Sequence, residues 1–407
     1  MDDVIVVGGG PAGMFAAIAA GRAGRRVLLL ERGDRLGRKL RITGKGRCNV
    51  TNCCSAGTVL ENIPRNSRFL YSGVTAFPPE KVMAFFTQLD CPLKVERGNR
   101  VFPQSDSALS VQAALDRGLA QAGVKVIYHA RVQGVETENG AVAGVLTQSG
   151  RYAGAKVILA TGGCSYPATG STGDGYALAK ALGHEIVEPV GSLVPLTAAG
   201  EDCARMQGLS LRNVGVKLLD SRGKCVYRDF GELLFTHFGL SGPTVLSASA
   251  HLAKAGPYRL AIDFKPALEE GKLDARLLRD LDIYKNRTMA NAMTDLLPRS
   301  AIPVLLDRAG IAGDLPANAL TRQQRRALVA VLKGFTLEIT GKRPVAEAIV
   351  TSGGVKTAQV NPKTMESRLV PGLYFAGEIL DCDGYTGGFN LQIAWSTGYA
   401  AGMAAAE

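Results

Sequence analysis

Near the amino terminus, Val4-Ile5-Val6-Val7-Gly8-Gly9-Gly10-Pro11-Ala12-Gly13 sets glycines at the spacing G-x-G-x-x-G between an apolar run and a helical one. At that spacing Gly8 serves a tight turn, Gly10 lets the backbone approach a pyrophosphate, and Gly13 permits close helix–strand packing. Pro11 and Ala12 open the helix, whose N-terminus then faces negative charge. Glu31 closes the next strand, 23 residues after Gly8. A carboxylate there accepts hydrogen bonds from an adenosine ribose and repels a 2′-phosphate.

Three later segments extend the site. Thr161-Gly162-Gly163 ends a strand with the small residues needed where chain passes close to a dinucleotide. Gly377-Glu378, followed by Asp381, repeats that arrangement near the C-terminus, where a carboxylate can meet a ribityl chain. Gly387-Gly388-Phe389-Asn390 opens the last helix, and its first amides are placed to stabilise negative charge at a flavin N1/C2 carbonyl. Elements in this order point to FAD. With no second G-x-G-x-x-G for a nicotinamide domain, NAD(P)H, if it is the reductant, is expected to dock transiently at the flavin.

Residues 22–47 hold ten basic side chains, Arg22, Arg25, Arg26, Arg32, Arg35, Arg38, Lys39, Arg41, Lys45 and Arg47, against only Glu31 and Asp34. They read as cofactor-phosphate neutralisation plus a solvated face, or as contacts to a polyanion such as RNA. A second stretch, Arg322, Arg325, Arg326, Lys333, Lys342 and Arg343, and the net charge of +11 lean toward RNA.

The elements that must position these groups alternate at first. Strands over Val4–Val7 and Arg26–Leu30 flank a helix over Pro11–Ala23, which predicts a parallel sheet. Further strands are expected at Val124–Tyr128, Ala141–Thr147 and Lys156–Ala160, with an amphipathic helix over Ser107–Ala122. From about 190 to 350 the pattern changes. Val214–Leu219, Arg259–Phe264 and Leu337–Ile339 read as strands of a separate sheet or barrel, around a helix-rich stretch at 274–333. Val370–Ala376 returns to a buried strand and Phe389–Ala405 to a helix of small residues. The fold class is therefore α/β, a Rossmann-like nucleotide domain made from both chain ends and interrupted by an insertion.

The chain's 407 residues, 46% hydrophobic, can bury a large core, which excludes a disordered class. Eight cysteines lack C-x-x-C or His/Cys spacing, so neither zinc nor a disulfide framework is expected. The amino terminus lacks the charge pattern of a signal peptide and no apolar run spans a membrane. These features read as cytoplasmic.

Six segments carry a family resemblance: Gly37-Arg38-Lys39 through Thr43-Gly44-Lys45-Gly46-Arg47-Cys48-Asn49 to Thr51-Asn52, Ser165-Tyr166-Pro167 through Gly173-Asp174-Gly175, Phe235-Thr236-His237 to Gly242-Pro243, Thr351-Ser352-Gly353-Gly354-Val355, Thr364-Met365-Glu366-Ser367, and Gly384 to Gln392. In this order they resemble the BaiN/RdsA-like family of FAD-dependent oxidoreductases. The resemblance implies three parts: an FAD-binding domain at 1–190 and 351–407, an inserted β-rich substrate domain at 191–270 and 335–350, and a small helical domain at 271–334. It also implies members that reduce C=C bonds conjugated to a carbonyl, in bile-acid enones or in a ribosomal RNA uridine, and one described as an aminoacetone oxidase.

The cofactor set then also includes Arg32, Arg38, Lys39, Gly46, Arg47, Cys48, Asn49 and Val132. Reducing such an alkene needs hydride at the β-carbon, a donor for the enolate oxygen and a proton for the α-carbon. Arg47 and Lys45 are cationic candidates for oxygen or phosphate contacts. His237 is either a polarising or proton-delivering group or a buried loop anchor, and Tyr166 an acid or a packing ring. Cys48 is an acid whose pKa Arg47 lowers, or a packed cysteine. The leading expectation is an NAD(P)H-driven C=C reductase acting on ribosomal RNA uridine or a small steroid-like enone. The alternatives are a small-amine oxidase and a non-catalytic RNA-binding flavoprotein. No membrane partner is expected, and the oligomeric state stays open.

Overall fold

Apolar β-rich runs such as Val4–Val7 and Val27–Leu30 can be buried on both faces only in a parallel sheet covered by helices. The computed structural model, which describes residues 2–252 and 257–407, places them there. Its central sheet runs Lys125–Ile127, Val27–Leu30, Asp2–Val7, Gly150–Leu159, Ala141–Thr147, Val132–Glu138. The pairings from Lys125–Ile127 to Gly150–Leu159 are parallel, and Leu373–Phe375 adds to the last of these, also in parallel. Ala141–Thr147 and Val132–Glu138 are joined to it as an antiparallel meander.

The strand Gly150–Leu159 serves both patterns. Residues 150–153 pair antiparallel with Ala141–Thr147, while 154–159 pair parallel with the first strand. It therefore begins six residues earlier than the expected Lys156. The Asn139-Gly140 turn, with φ of 52° and 81°, delivers the meander by the tight reversal these two residues favour.

The first helix, Pro11–Arg22, and the last, Phe389–Ala405, are apolar almost all round, as helices buried between neighbours must be. They pack on each other through small residues. A Cβ on Gly398 would lie 2.5 Å from the Ala12 carbonyl oxygen, and one on Gly402 would lie 2.3 Å from that of Ala16. The two ends of the chain thus share one hydrophobic cluster with the sheet, including Phe15, Phe86 and Trp395. A small antiparallel sheet of Thr51–Asn52, Arg100–Pro103 and Leu93–Glu96 covers the segment after the second strand.

The chain divides into two compact units, one of residues 1–192 and 345–407, the other of 193–344. The second holds a closed antiparallel barrel of Leu196–Ala198, Gly239–Ser241, Cys225–Thr236, Ser210–Leu219, Tyr258–Asp263 and Phe335–Lys342. Between its last two strands lie the helices Glu270–Ile283, Met289–Ala292, Ile302–Arg308 and Arg322–Lys333. They share one apolar cluster with the barrel, including Leu277, Leu305, Leu332, Leu260 and Phe335. The helical segment is set apart in sequence but has no separate core.

If the terminal helices touch as closely as this, Gly402→Val must force backbone apart. We expect a loss of about 3 kcal/mol, at the upper end for overpacking, read as a lower thermal midpoint. An unchanged midpoint would show that the contact is looser.

Candidate active site

The glycine turn predicted from the sequence lies between the first strand and first helix. Gly8 has φ of 107°, which leaves its Cβ position 2.5 Å from the Ala160 carbonyl oxygen and requires glycine. Gly13 is packed against the Gly8 carbonyl. Gly10 differs from both: its φ and ψ are −82° and −178°, ordinary extended backbone, and no atom lies within 4 Å of a Cβ built there. Its bareness therefore serves neither local packing nor backbone conformation.

Glu31 sits beside this turn. Its Oε2 accepts from the Gly9 amide at 2.8 Å and its Oε1 from the Gly33 amide at 2.6 Å. Both oxygens keep a further lone pair for ribose hydroxyls. Next to it, the Ala130 amide binds the Glu31 carbonyl oxygen, which brings buried Val132 to the same end. Arg38 is exposed, with a guanidinium nitrogen 3.5 Å from the Cβ position of Gly33.

A second group gathers around Glu378. Lys39 Nζ donates to Glu378 Oε2 at 2.8 Å and to Ser165 Oγ at 2.6 Å. Glu378 Oε1 accepts from Ser165 Oγ and from the Thr351 amide, both at 2.8 Å. Thr351 Oγ1 in turn accepts from the amides of Cys164 at 2.8 Å and Ser165 at 3.1 Å. The Lys39 and Glu378 side chains are 19% and 21% exposed. Burial works to raise the Glu378 pKa, but the Lys39 ammonium and these hydrogen bonds outweigh it and hold the carboxyl below its ordinary range.

At the last helix, Gly388 is the N-cap, with φ of 103°, and Phe389 begins the helix. The Asn52 amide group donates to the Gly387 carbonyl at 3.1 Å. Asn390 is a loop brace: its Oδ1 accepts from the Gly384 amide at 2.8 Å and its Nδ2 donates to the Gly384 carbonyl at 2.7 Å. Trp395 is fully buried, and its indole donates to the Val50 carbonyl at 2.8 Å.

Several expected roles change in the structure. Cys48 is fully buried, and burial pushes its thiol up to about 12, the reverse of activation by Arg47. The Arg47 guanidinium points elsewhere, over the Phe102 ring at 4.1 Å, with Glu96 and Asp106 as ion-pair partners. Its charge is neutralised where it stands. Asp381 is buried and its carboxylate accepts from Arg65 at 3.2 Å and Asn66 at 3.0 Å, so it also ties down a helix start. Arg32 donates to Thr172 at 2.6 Å and Asp174 at 3.1 Å, bracing the Thr172-Gly173-Asp174-Gly175 turn. His237, in the second unit, is exposed on the turn after Cys225–Thr236, with its ring edge-on to Phe238, and so is not a buried anchor.

Tyr166 keeps its candidacy. It is half-buried at φ of 51°, an uncommon conformation for a bulky residue. Among the described residues its hydroxyl has no hydrogen-bond partner. Sequence reasoning did not single out Ser165 or Thr351 for a role, although both lie in quoted motifs. It counted Arg41 only as charge.

Whether FAD fits can be judged from atoms already in place. Arg41 Nε, Asn49 Oδ1 and Thr161 Oγ1 are buried polar atoms without a protein partner, all on segments that follow the glycine turn or the adjoining strand. Such atoms are costly unless something bonds them. Together with open Gly10 and doubly anchored Glu31, they fit a bound dinucleotide. Gly8, Gly10, Pro11, Ala12 and Gly13 would hold the pyrophosphate, Glu31 the ribose, and Gly162, Gly163, Gly377 and Gly388 the close backbone approaches. Among the described residues no group of three or more His, Cys, Asp or Glu is arranged to hold a metal ion, and no helix is long and apolar enough to cross a membrane.

The model of the HI0933-like protein Rossmann domain matches residues 2–404. The chain belongs to this family. Its members are flavin-dependent oxidoreductases. Over its full length the chain is 35% identical to the whole of the 3-dehydro-bile acid delta(4,6)-reductase of Clostridium scindens. It is 30% identical to the ribosomal RNA dihydrouridine synthase of Escherichia coli, over 98% of this chain and 96% of that one. Among solved structures, the 3-ketosteroid delta1-dehydrogenase of Sterolibacterium denitrificans aligns over 100% of this chain and 99% of its own, with a TM-score of 0.52 at 14% identity, a likeness of fold alone.

Two expectations follow. Gly10→Ala should fold with wild-type stability, since its backbone suits alanine, yet lose at least tenfold in FAD affinity, read from the flavin-to-protein absorbance ratio and a fluorescence titration. Full flavin content would remove Gly10 from the pyrophosphate contact. Breaking a buried ion pair costs about 3–5 kcal/mol, and with a fifth of each side chain exposed we expect about 2 kcal/mol for Lys39→Met. Because Glu378 titrates lower folded than unfolded, its contribution is complete above pH ~4.3 and falls away as pH drops through the folded pKa. The stability gap between wild type and Glu378→Gln should therefore be constant near neutrality and narrow under acid, as urea denaturation can measure.

Proposed function

We propose that this protein is an NAD(P)H-driven, FAD-dependent reductase of a C=C bond conjugated to a carbonyl, and that its substrate is a uridine of ribosomal RNA, converted to dihydrouridine. The observation that carries the RNA reading is charge. Five of the ten cations at 22–47, namely Arg26, Arg32, Arg35, Lys39 and Arg47, are ion-paired. By contrast Lys45, Lys272 and Arg279 are exposed without an acidic partner among the described residues, and exposed Arg322 and Arg326 share with Arg325 the single charge of Asp274. Unpaired cations on several surfaces suit a large polyanion better than one small acid. The named activity of the Escherichia coli relative supports the same substrate class.

Bound FAD, once reduced, supplies the hydride for the β-carbon. The chain must add a proton at the α-carbon and a donor for the oxygen on which charge develops. The buried thiol of Cys48 and the neutralised Arg47 are poor choices. Tyr166, on the loop that follows Thr161-Gly162-Gly163, is the group we assign to proton delivery.

A steroid-like enone is the second reading, favoured by the 35% identity with the bile-acid reductase along the full length. Nucleoside mass spectrometry of ribosomal RNA, from a host lacking its own such enzyme, separates the two. The RNA reading expects one uridine to gain two hydrogens when the gene is present, and Tyr166→Phe to cut that yield at least tenfold at unchanged flavin content. With flavin-loaded protein and no gain, the RNA reading falls; rapid reoxidation of the reduced flavin by a 4-en-3-one would then establish the enone reading.

A further inference from the structure

The helix Glu270–Ile283 carries Lys272, Arg276 and Arg279 at intervals of four and three, which sets all three on one face. That face, with Leu268 and Ala275, lines a recess of about 280 Å³. Lys272 and Arg279 are exposed and have no acidic partner among the described residues. Arg276 donates through Nε to both oxygens of Asp280 at 2.8 Å, an arrangement that leaves its two terminal nitrogens for another acceptor.

The recess is held in shape from behind. Lys333 Nζ donates to the Leu268 carbonyl at 2.7 Å and to that of Lys265 at 3.1 Å, and pairs with Asp263 at 2.6 Å. Lys265 is half-buried, and its amine titrates below its ordinary value, first because of burial and then because of the Arg276 charge.

We propose that this recess seats a backbone phosphate of the RNA substrate, with the terminal nitrogens of Arg276 contacting the phosphate and Lys272 and Arg279 its neighbours along the strand. The assignment rests on the RNA reading above. Phosphate oxygens match the planar donors of arginine and the point charge of lysine, and such contacts set register without reading sequence.

The test uses the full-length, FAD-loaded protein and total ribosomal RNA, with binding followed from about 50 to 200 mM salt. Lys272→Glu with Arg279→Glu alters two exposed side chains, so flavin content and thermal midpoint should hold. RNA affinity should fall at least tenfold, and the slope of log affinity against log salt should become shallower by about 2. The conservative pair Lys272→Arg and Arg279→Lys should keep wild-type binding. Equal affinity and slope in the reversed-charge protein would overturn the site while leaving RNA as substrate, as would a loss confined to anionic vesicles. If the unaltered protein binds no RNA at all, the substrate reading fails and this site with it.

Discussion

A carboxylate withdrawn from water needs compensation from nearby charge and donors, and Glu378 receives it from three places in the chain. Lys39 comes from the loop after the second strand, Ser165 from the loop after the long central strand, and the Thr351 amide from the strand that returns from the inserted unit. Thr351 then fixes the backbone at 164–165. No one of these loops is held by local turn chemistry alone. The dinucleotide cradle is a set of loop ends whose relative positions depend on this one buried charge. A long-range ion pair, its partners 339 positions apart in sequence, does for the C-terminal half of the site what Glu31 does through two nearby amides for the N-terminal half.

What could be seen in the sequence followed from how local the determinants are. The glycine turn, Glu31 and the last helix were readable because each obeys a short-range rule, and Phe389–Ala405 has the bounds expected of it. The strand Cys225–Thr236 was not foreseen. It alternates only weakly, and it is fixed by pairing with Ser210–Leu219 and Gly239–Ser241 in a closed barrel. The helices between 56 and 88 were not foreseen either, although Ser55 caps the first and Pro79 opens the third by short-range rules.

Side-chain roles were less readable than backbone ones. Arg47 and Cys48 are neighbours in sequence, yet one lies over Phe102 among acids and the other faces the core. The positive φ of Cys48, 59°, turns the chain so that adjacent residues part company. Nothing in residue type announces that. Likewise nothing in the residue type of Asp381 announces that it also holds Arg65 and Asn66. Charge counted along a sequence therefore overstates the charge a partner can meet, and the correction falls most heavily on the segment that looked most basic.

The close contact of the first and last helices also bears on how the chain is made. A ribosome releases the first 192 residues long before Phe389–Ala405, which must cover Ala12, Ala16 and Trp395's neighbour Phe15. The barrel unit is contiguous from 193 to 344 and can complete its core during synthesis. The cofactor unit cannot; its nascent half emerges with an apolar helix face still bare, exposed to aggregation or to a chaperone until Phe389–Ala405 has been made. Loading of the nucleotide is by the same logic a late event, which must wait for the segment that carries Glu378 and the start of this helix.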